Sequence, residues 1–473
     1  MPKCQWTYRL APPAPPGHNR RVNPRQAHRA GSPFLLTIAG AIVAAALVGG
    51  APLAAQMPDA DATNIADTAD TAVEIAPGIY RLSGIDEDLP QDELQPLRRM
   101  LRRAEVVGLG EAIHTTRGFS RAKFRLFKYL VERAGFRVFG FESPWIDAER
   151  VALYVETCEG SAEDAIEGLF GVWQNESVLE LVQWMCDHNR VHPDDPVAFY
   201  GFDHQQAWHD APALKGLLVS FGIPAKSSRV VNLDQCEGAT SLSAWLYYNN
   251  REAPVPEKHT RCMNALSRNW RFLTRRAPRL VRTGEISAVD VAWAKIHLVG
   301  LRAFQEQMFY EDSDRPRAFE ARDAGMAYIA QEIRALRFPR AKTALWAHNA
   351  HLAAGGKYLP ETLDMGYFLH EDLGSRYEAI GLVALESEID WPGVGCGPAK
   401  VALNGSLEDF LSGFNEPYLL VDLDFRGAVE PPLDSAAPWE VDGRRLVPRE
   451  EFRALLYLER AEKMIPVHWR PCA

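Results

Sequence analysis

The sequence is poor in cysteine, with 7 in 473 residues, and none of the seven lies in a Cys-x-x-Cys pair. Thiolate zinc sites and disulfide scaffolds normally need such clustered cysteines. The chain is therefore not expected to be a zinc-thiolate or disulfide-scaffold protein, although one or two bridges remain open. Cys186 is interpreted as a small core residue, because His188 lies two positions later and would face away from it on a helix.

Several catalytic motifs are missing as well. The sequence has no Gly-x-Ser-x-Gly, no His-Glu-x-x-His and no phosphate-binding Gly-x-x-x-x-Gly-Lys-Ser/Thr. The segment GLGEAI, which begins at Gly108, lacks the third glycine of a dinucleotide-binding loop. These absences argue against a nucleophile-elbow serine hydrolase, a zincin metalloprotease, a P-loop enzyme and a Rossmann dehydrogenase.

Acidic side chains are absent from residues 1–57, which contain six basic ones. The remaining chain has 46 basic and 62 acidic side chains, a net charge of −16. No basic stripe with interleaved aromatic residues is visible in this acidic part. Because such a surface repels phosphate backbones, no nucleic-acid partner is expected.

The N-terminal region has the order of parts of a targeting segment. Residues 34–50 (FLLTIAGAIVAAALVGG) form an apolar run between the basic residues and a small-residue site at Leu53-Ala54-Ala55. This order is typical of a secretory signal peptide, and the run is also just long enough to anchor the chain in a membrane. We expect residues 1–56 to be a signal peptide or anchor, 57–74 a disordered tether and 75–473 the folded domain of a secreted or periplasmic protein.

Strand and helix patterns alternate along the folded part. Short continuous apolar runs are typical of buried parallel strands, and apolar residues three or four apart are typical of helices. The alternation predicts an α/β fold with a mostly parallel sheet and flanking helices. Only helical patterns occur over 223–338, which predicts a helical insertion, or lid subdomain, over the site. The predicted strands are 106–109, 138–141, 197–202, 344–347, 379–384 and 418–421, and an apolar helix is predicted at 452–457.

Ionisable residues follow four of the predicted strands. These residues are Glu111 and His114, then Glu142, then Asp203, and finally His348 and His351. Ligands of open α/β sheets bind beyond the carboxyl ends of the parallel strands. Burying so many ionisable groups together costs stability unless they are paired or used. We therefore expect a functional site there, with a helix N-cap as the alternative role of Asp203.

Other polar and aromatic residues receive no functional role. A pocket for a bulky apolar ligand is conceivable around the tryptophans, but large aromatic residues more often fill the core. The residues assigned to the core on this ground are Trp173, Trp184, Trp208, Trp293 and Trp346. The ordinary polar or core histidines are His204, His209 and His297.

The segment GEAIHTTRGFSRAKFRLFKYLVERAGFRVFGFE, which runs from Gly110 to Glu142, resembles the opening motif of the erythromycin esterase family. Four further blocks follow in the family's order: YGFDHQ at 200–205, ARDAGMA at 321–327, WAHNAH at 346–351 and MGYFLHEDLGSRYEAIGL at 365–382. The resemblance implies hydrolysis of a small-molecule ester or lactone, macrolide antibiotics being the family's named substrates. It implies attack by an activated water without a covalent acyl-enzyme. Our first hypothesis is accordingly a metal-independent hydrolase, and no cofactor is expected.

The resemblance also implies roles for individual residues. His114 becomes the general base, and Glu111 and Glu142 orient or tune the histidines. His348 and His351 line the facing wall, where they polarise the ester carbonyl or protonate the leaving alkoxide. An imidazole is the most suitable base at physiological pH. The candidate substrate-binding residues are Lys123, Asp203, Arg322 and Asp323.

Three residues near His114 depart from the family pattern. Thr115 stands where the family commonly has Gly, and Gly118 and Lys123 stand where it often has Glu and Arg. Lysine offers a point charge in place of the planar, two-pronged grip of arginine on a carboxylate. A solvated lysine on a helix face is the alternative for Lys123, and a helix salt bridge is the alternative for Arg322 and Asp323.

Two other functions use the same residues. Glu111 and His114, like His348 and His351, are three positions apart, a spacing that places two metal ligands on one helical face. A bound Zn²⁺ or Mn²⁺ could then activate the water. The other alternative is a non-enzymatic envelope protein that binds a ligand or haem, with His114 or His351 as axial ligand.

Overall fold

The computed structural model describes residues 72–205, 207–236, 256–356, 362–391, 395–397, 399–425, 437–439 and 444–469. The predicted signal segment and all but the end of the predicted tether lie outside these residues. None of the helices within the described ranges is both long and apolar enough to span a membrane.

A ten-stranded sheet organises the domain. The strands of the described residues are β1 (Val73–Ala76), β2 (Ile79–Arg81), β3 (Val106–Leu109), β4 (Phe136–Pro144), β5 (Ala198–Asp203), β6 (Lys342–Trp346), β7 (Tyr377–Ser387), β8 (Asp390–Trp391), β9 (Gly395–Cys396), β10 (Lys400–Val401), β11 (Tyr418–Asp422), β12 (Ala437–Trp439), β13 (Arg444–Leu446) and β14 (Ala454–Ala461). Strands β8 and β9, and β12 and β13, form two separate two-stranded sheets.

Six parallel strands form the centre of the main sheet, in the order β14-β7-β3-β6-β4-β5. The antiparallel strands β11, β2 and β1 extend it beyond β14, and β10 pairs with the end of β7. The predicted α/β fold with a mostly parallel sheet is therefore confirmed. Because β3, β6, β4 and β5 are neighbours, the polar residues that follow them meet at one edge.

The helix predicted at 452–457 is wrong, because Ala454–Ala461 is strand β14. This strand pairs with β7 on one side and β11 on the other, and its residues Ala454–Leu458 are all buried. A continuous apolar run that is buried on both faces carries no periodicity that separates a strand from a core helix.

The helices cover both faces of the sheet. They are α1 (Pro96–Met100), α2 (Arg117–Ala134), α3 (Glu149–Thr157), α4 (Ala162–Ile166), α5 (Glu176–Val191), α6 (Asp210–Ser220), α7 (Ser228–Val231), α8 (Pro256–Arg271), α9 (Ala277–Arg282), α10 (Ala288–Tyr310), α11 (Arg315–Arg337), α12 (Asn349–Leu352), α13 (Met365–Leu373), α14 (Leu407–Ser412) and α15 (Pro448–Glu451). One face packs through residues such as Leu126 and Leu181, and the other through Ile329 and Leu369.

Helix α2 begins and ends where its sequence indicates. The Thr116 side chain caps its N-terminus by accepting a hydrogen bond from the backbone N–H of Phe119. Gly135 ends it with a φ of 73°, which glycine adopts without a steric penalty. These boundaries hold the buried Lys123, in the second turn of α2, beneath the strand ends.

The described residues between 223 and 338 contain helices and no strand. Helices α6, α8 and α10 share their own apolar core, which includes Leu214, Leu266 and Leu298. Helix α11 connects this group to the sheet, and the Tyr200 hydroxyl of β5 donates to the carbonyl of Ala330. The helical segment therefore rests on the β5 side of the sheet.

Two disulfide bonds, Cys158–Cys186 and Cys236–Cys262, lie within the residues that the structure describes. Cys186 is fully buried in the core, as interpreted from the sequence, and it is also bonded to Cys158. The first bridge ties the end of α3 to α5, and the second ties the segment after α7 to α8. A partner 28 residues upstream could not be deduced from the spacing alone.

Candidate active site

All nine residues predicted for the site lie in one continuous contact network at the carboxyl ends of β3, β4, β5 and β6. Two groups make up this network: Glu111, His114 and Lys123 near β3, and Glu142, Asp203, Arg322, Asp323 and His351 near β4 and β5. His348 joins them, since its ring lies 5.0 Å from that of His114 and its backbone N–H donates to Glu142.

Glu111 holds the β3 group together. Its Oε1 lies 2.8 Å from Nδ1 of His114, and its Oε2 lies 2.9 Å from Nζ of Lys123. Glu111 and Lys123 are fully buried, whereas the His114 side chain is 19% exposed. The hydrogen bond to Glu111 fixes the tautomer with the proton on Nδ1, so Nε2 is the basic nitrogen of His114.

Lys123 is a buried partner of Glu111 rather than a solvated helix-face residue. Its ammonium group donates to the carbonyl of Ala347 at 3.1 Å and lies 4.4 Å from the ring centroid of Trp346. Burial lowers the pKa of Lys123 to about 8, against the opposing attraction of Glu111. Lys123 thus occupies the family's arginine position as a single-point contact to the carboxylate.

Arg322 bridges the two carboxylates that end β4 and β5. Its Nη2 donates to Oε1 of Glu142 and to Oδ2 of Asp203, each at 2.7 Å. The three side chains are almost completely buried. Burial alone would raise the pKa of Asp203, but Arg322 outweighs it and holds that pKa below its usual value. The guanidinium therefore keeps Asp203 ionised and adds to the charges that keep Glu142 ionised.

The Glu142 carboxylate also contacts two histidines. Its Oε1 lies 3.3 Å from Nε2 of His351, and its Oε2 accepts the backbone N–H of His348 at 3.0 Å. Burial opposes its ionisation, but the positive charge on His351 and other neighbours holds the pKa of Glu142 far below its usual range. Glu142 is therefore an anion that orients the facing histidines.

His351 is held on both ring nitrogens. Its Nδ1 lies 2.9 Å from both carboxylate oxygens of Asp323, and its Nε2 lies 2.8 Å from Nη1 of Arg322. Burial lowers the pKa of His351, but the Asp323 carboxylate outweighs burial and the net pKa is raised. Asp323 also accepts the backbone N–H of Met365, which fixes its position at the start of α13.

His348 has both ring nitrogens on backbone groups. Its Nε2 donates to the carbonyl of Ala112 at 2.8 Å, and its Nδ1 accepts the N–H of Ala350 as the N-cap of α12. Burial and the nearby histidines lower the pKa of His348 well below its ordinary value. This geometry suits a neutral spacer between the two groups better than a proton donor.

Two residues of the site were missed by the sequence-based prediction. The indole of Trp173 packs edge-on against His114, with ring centroids 5.0 Å apart, and donates to the backbone carbonyl of Glu142. Asn349 donates to the carbonyl of Leu382 on β7 and packs so tightly against Gly110 that a Cβ at position 110 would clash with the Asn349 side-chain oxygen. The only available signal was the position of Asn349 between the two histidines.

No three His, Cys, Asp or Glu side chains come together as a metal-binding group among the residues that the structure describes. The predicted pairs are instead engaged with carboxylates, with Arg322 or with backbone groups. The structure does bring Arg322 and Asp323 into the site. Arg322 binds the carboxylates of Glu142 and Asp203 and also donates to His351, and Asp323 binds His351.

Comparisons with known proteins point to one family. The sequence profile of erythromycin esterase matches residues 131–455, which include six of the nine predicted site residues. A Bacillus subtilis protein named "Putative hydrolase YbfO" is 23% identical over 353 residues, 70% of this chain and 76% of that protein. Erythromycin esterase type I of Escherichia coli is 34% identical over 77 residues, 16% of this chain and 19% of that enzyme.

The fold is also shared with a solved structure. A mutant of the erythromycin esterase EreC in its open conformation superposes with a TM-score of 0.64 at 20% identity, over 80% of this chain and 95% of that one. The sequence match and the relative named as a hydrolase support hydrolase activity. This chain belongs to the erythromycin esterase family.

Proposed function

We propose that this protein hydrolyses a carboxylic ester or lactone with a water molecule that His114 deprotonates. The observation that carries the proposal is the hydrogen bond between Glu111 and Nδ1 of His114 at the partly exposed edge of an otherwise buried charged network. This bond orients the imidazole so that its Nε2 can accept a proton, which is the arrangement of a general base.

The reaction needs one base that later acts as an acid. Nε2 of His114 takes a proton from water as the water oxygen bonds to the ester carbonyl carbon. The tetrahedral intermediate then collapses, the carbon–alkoxide bond breaks, and the imidazolium returns its proton to the leaving oxygen. The products are a carboxylic acid and an alcohol, and Glu111 stabilises the imidazolium between the two steps.

The second group supplies charge and position. Arg322 brings positive charge to the wall opposite His114, where negative charge develops on the carbonyl oxygen, and its Nη1 donates to Nε2 of His351. The carboxylates of Glu142 and Asp203 fix the position of the Arg322 guanidinium. His348 is assigned a positioning role, because proton donation would require its hydrogen bond to Ala112 to break.

The two disulfide bonds support a secreted or periplasmic location, because such bonds persist in oxidising compartments and are rare in the cytosol. This location agrees with the N-terminal apolar run. Macrolide lactones enter the proposal as one substrate class to test, beside simple esters.

The test is hydrolysis of erythromycin and a panel of simple esters by the purified protein, His114→Ala and His192→Ala, before and after chelation. His192 lies exposed at the end of α5 and serves as the matched histidine control. We expect His114→Ala to lose about 10²–10⁴-fold in kcat, the usual contribution of a general base, and His192→Ala to lose nothing. Near-wild-type hydrolysis by His114→Ala would remove the base, and stoichiometric metal with activity lost on chelation would reassign the same residues to a coordination shell.

A further inference from the structure

One part of the helical segment is strongly basic although the domain around it is acidic. Residues 258–284 contain eight basic side chains and no acidic one, whereas the whole chain after residue 57 has 46 basic and 62 acidic ones. This part of the chain forms helix α8, a π-helical turn (Phe272–Arg276) and helix α9, which follow one another directly. The positive charge is therefore concentrated on one continuous helical stretch.

Six of the arginines lie on one face of this stretch, and we call them the arginine stripe. They are Arg261, Arg268, Arg271, Arg275, Arg279 and Arg282. Residues three, four or seven positions apart project from the same side of a helix, and every step along the stripe has one of these spacings. At a rise of 1.5 Å per residue, the stripe is about 30 Å long.

The stripe faces solvent, because the opposite face of the same helices is buried. Cys262, Leu266 and Leu273 pack in the apolar core that α6, α8 and α10 share. The stripe arginines are exposed, with the exception of the half-buried Arg268. The stripe is thus an outward-facing surface of the domain.

Acidic side chains compensate little of this charge. Arg261 pairs with Glu257 at 3.8 Å, and both side chains are mostly exposed. The other five stripe arginines form no ion pair within the part of the chain that the structure describes, and Nε and Nη2 of Arg268 have no hydrogen-bond partner there. Like charges three or four positions apart on a helix repel each other. An external anion would relieve this repulsion.

The stripe is not visible in the linear sequence, because the arginines alternate with apolar residues and only the helix brings them to one side. The aromatic residues between them do not extend it. Phe272 is 6% exposed, and the half-buried Trp270 packs edge-on against Tyr328. Nucleic-acid bases would therefore find no fully exposed ring on which to stack.

A flat anionic surface matches the stripe better than a long polyanion does. Exposed charges are screened beyond about 8 Å at physiological ionic strength, so a membrane in contact with the stripe is little affected by the acidic faces of the domain. A nucleic acid that continued beyond the stripe would run along those faces and be repelled. The apolar run at 34–50 and the two disulfide bonds also support export of the chain to or across a membrane.

We propose that the arginine stripe binds the anionic lipid headgroups of a membrane surface and holds the helical segment against that surface. The guanidinium groups contact the headgroup phosphates. No large apolar side chain of residues 258–284 is exposed, so the contact is electrostatic and involves no insertion into the bilayer. This binding does not depend on ester hydrolysis, and it operates whether the N-terminal apolar run is cleaved or retained.

The test is partitioning of the full chain onto two kinds of vesicle: phosphatidylcholine alone, and phosphatidylcholine mixed with the anionic lipid phosphatidylglycerol. The quantity measured is the ratio of the anionic to the neutral partition coefficient, in which apolar binding by the N-terminal run cancels. Each arginine near an anionic surface strengthens binding about 5-fold. Arg275→Gln/Arg279→Gln should therefore lower the ratio about 25-fold. High salt should bring the wild-type ratio close to unity.

Arg102→Gln/Arg103→Gln is the matched control. It removes the same charge from two exposed arginines that follow α1, outside the helical segment. Its ratio should stay close to that of the wild type. Thermal denaturation checks that both double variants keep the fold, which we expect because all four side chains are exposed.

Several results would overturn the proposal. A wild-type ratio near unity would exclude anionic lipid as the partner, and an equal fall in both double variants would show that net charge matters rather than the stripe. Binding of a single-stranded oligonucleotide more tightly than anionic vesicles, lost in Arg275→Gln/Arg279→Gln, would reassign the stripe to nucleic acid. Self-association lost in the same variant, without vesicle binding, would reassign it to a second copy of this chain. Absence of ester hydrolysis would refute the esterase function and leave the vesicle result unchanged.

Discussion

Replacement of Arg322 by leucine should destabilise the protein strongly, and in a way that depends on pH. Arg322 contacts Glu142 and Asp203 at 2.7 Å, and all three side chains are at least nine-tenths buried. Removing one partner from a buried ion pair costs about 3–5 kcal/mol, because the other charge is left in a medium that solvates it poorly. This loss is a large part of the roughly 5–15 kcal/mol by which a typical protein is stable.

The pH dependence identifies the cause of that loss. In the folded wild type the pKa values of Glu142 and Asp203 are lowered from their ordinary values of 4.5 and 3.8. The stability that these two ionised carboxylates contribute is therefore complete above the ordinary pKa values, and it is lost only as pH falls through the lower pKa values of the folded state. Without Arg322, the largest opposition to burial at Asp203 is gone and the pKa of Asp203 rises, whereas Glu142 keeps the attraction of His351 and His114. The variant should therefore bind a proton at Asp203 and regain stability as pH falls from neutral, whereas Asp203 changes nothing in the wild type until its lowered pKa is reached.

The assay is urea denaturation at several pH values for the wild type, Arg322→Leu and Arg150→Leu. Arg150 pairs with Glu167 at 3.3 Å, and both side chains are about half exposed, so Arg150→Leu should cost less than about 1 kcal/mol at every pH. Arg322→Lys keeps the charge and should fall between the two, which provides a measurable variant if Arg322→Leu does not fold. A stability loss in Arg322→Leu that is the same at pH 5 and pH 7 would refute the charge argument and leave only lost packing.

Three further predictions concern neighbouring features. Glu142→Gln should lower kcat more than it raises KM, because the carboxylate orients the histidines rather than the substrate. Steady-state kinetics with an accepted ester would test this prediction, and a change in KM alone would contradict it. Asp323→Asn should destabilise the protein most below pH 6.5, where the stabilisation reported by the raised pKa of His351 is fully present. In thermal denaturation, the difference in stability from the wild type should shrink as pH rises through that raised pKa. Cys236→Ser removes the Cys236–Cys262 bridge, whose partners are 26 residues apart, and should lower the free energy of unfolding by about 3 kcal/mol, measured by denaturation. Unchanged stability of this variant would show that the bridge does not constrain the unfolded chain.

The sequence was informative wherever one physical signal dominated. Buried parallel strands have continuous apolar runs, and ionisable residues directly after such runs can only be placed at one edge, so Glu111, Glu142 and His348 could be located together. The same signal was ambiguous for Ala454–Ala461, because a run buried on both faces has the same composition in a strand and in a core helix.

The contacts within the site could not be deduced in the same way. Lys123 could contact solvent, Glu142 or Glu111, depending on how α2 is rotated about its axis. The spacing of apolar residues along α2 does not determine this rotation closely enough to choose between them. The hydrogen bonds of His348 to Ala112 and Ala350 involve backbone atoms, which every residue type provides equally. The Cys158–Cys186 bridge likewise depends on how α3 packs against α5, a long-range fact that pair spacing does not encode.

The contact between Gly110 and Asn349 joins the segments after β3 and β6, which both carry residues of the candidate active site. Any side chain at position 110 would displace the Asn349 amide, which bonds to Leu382 in both directions, while the backbone N–H of Asn349 donates to the carbonyl of Glu111. The proposed base, His114 after β3, and the histidines after β6 are thus held at a fixed distance by two residues outside the proposed catalytic groups. An engineer who wants a new substrate range should vary the helices above the sheet and leave this pair alone, because a shift there would move the proposed base relative to His348 and His351.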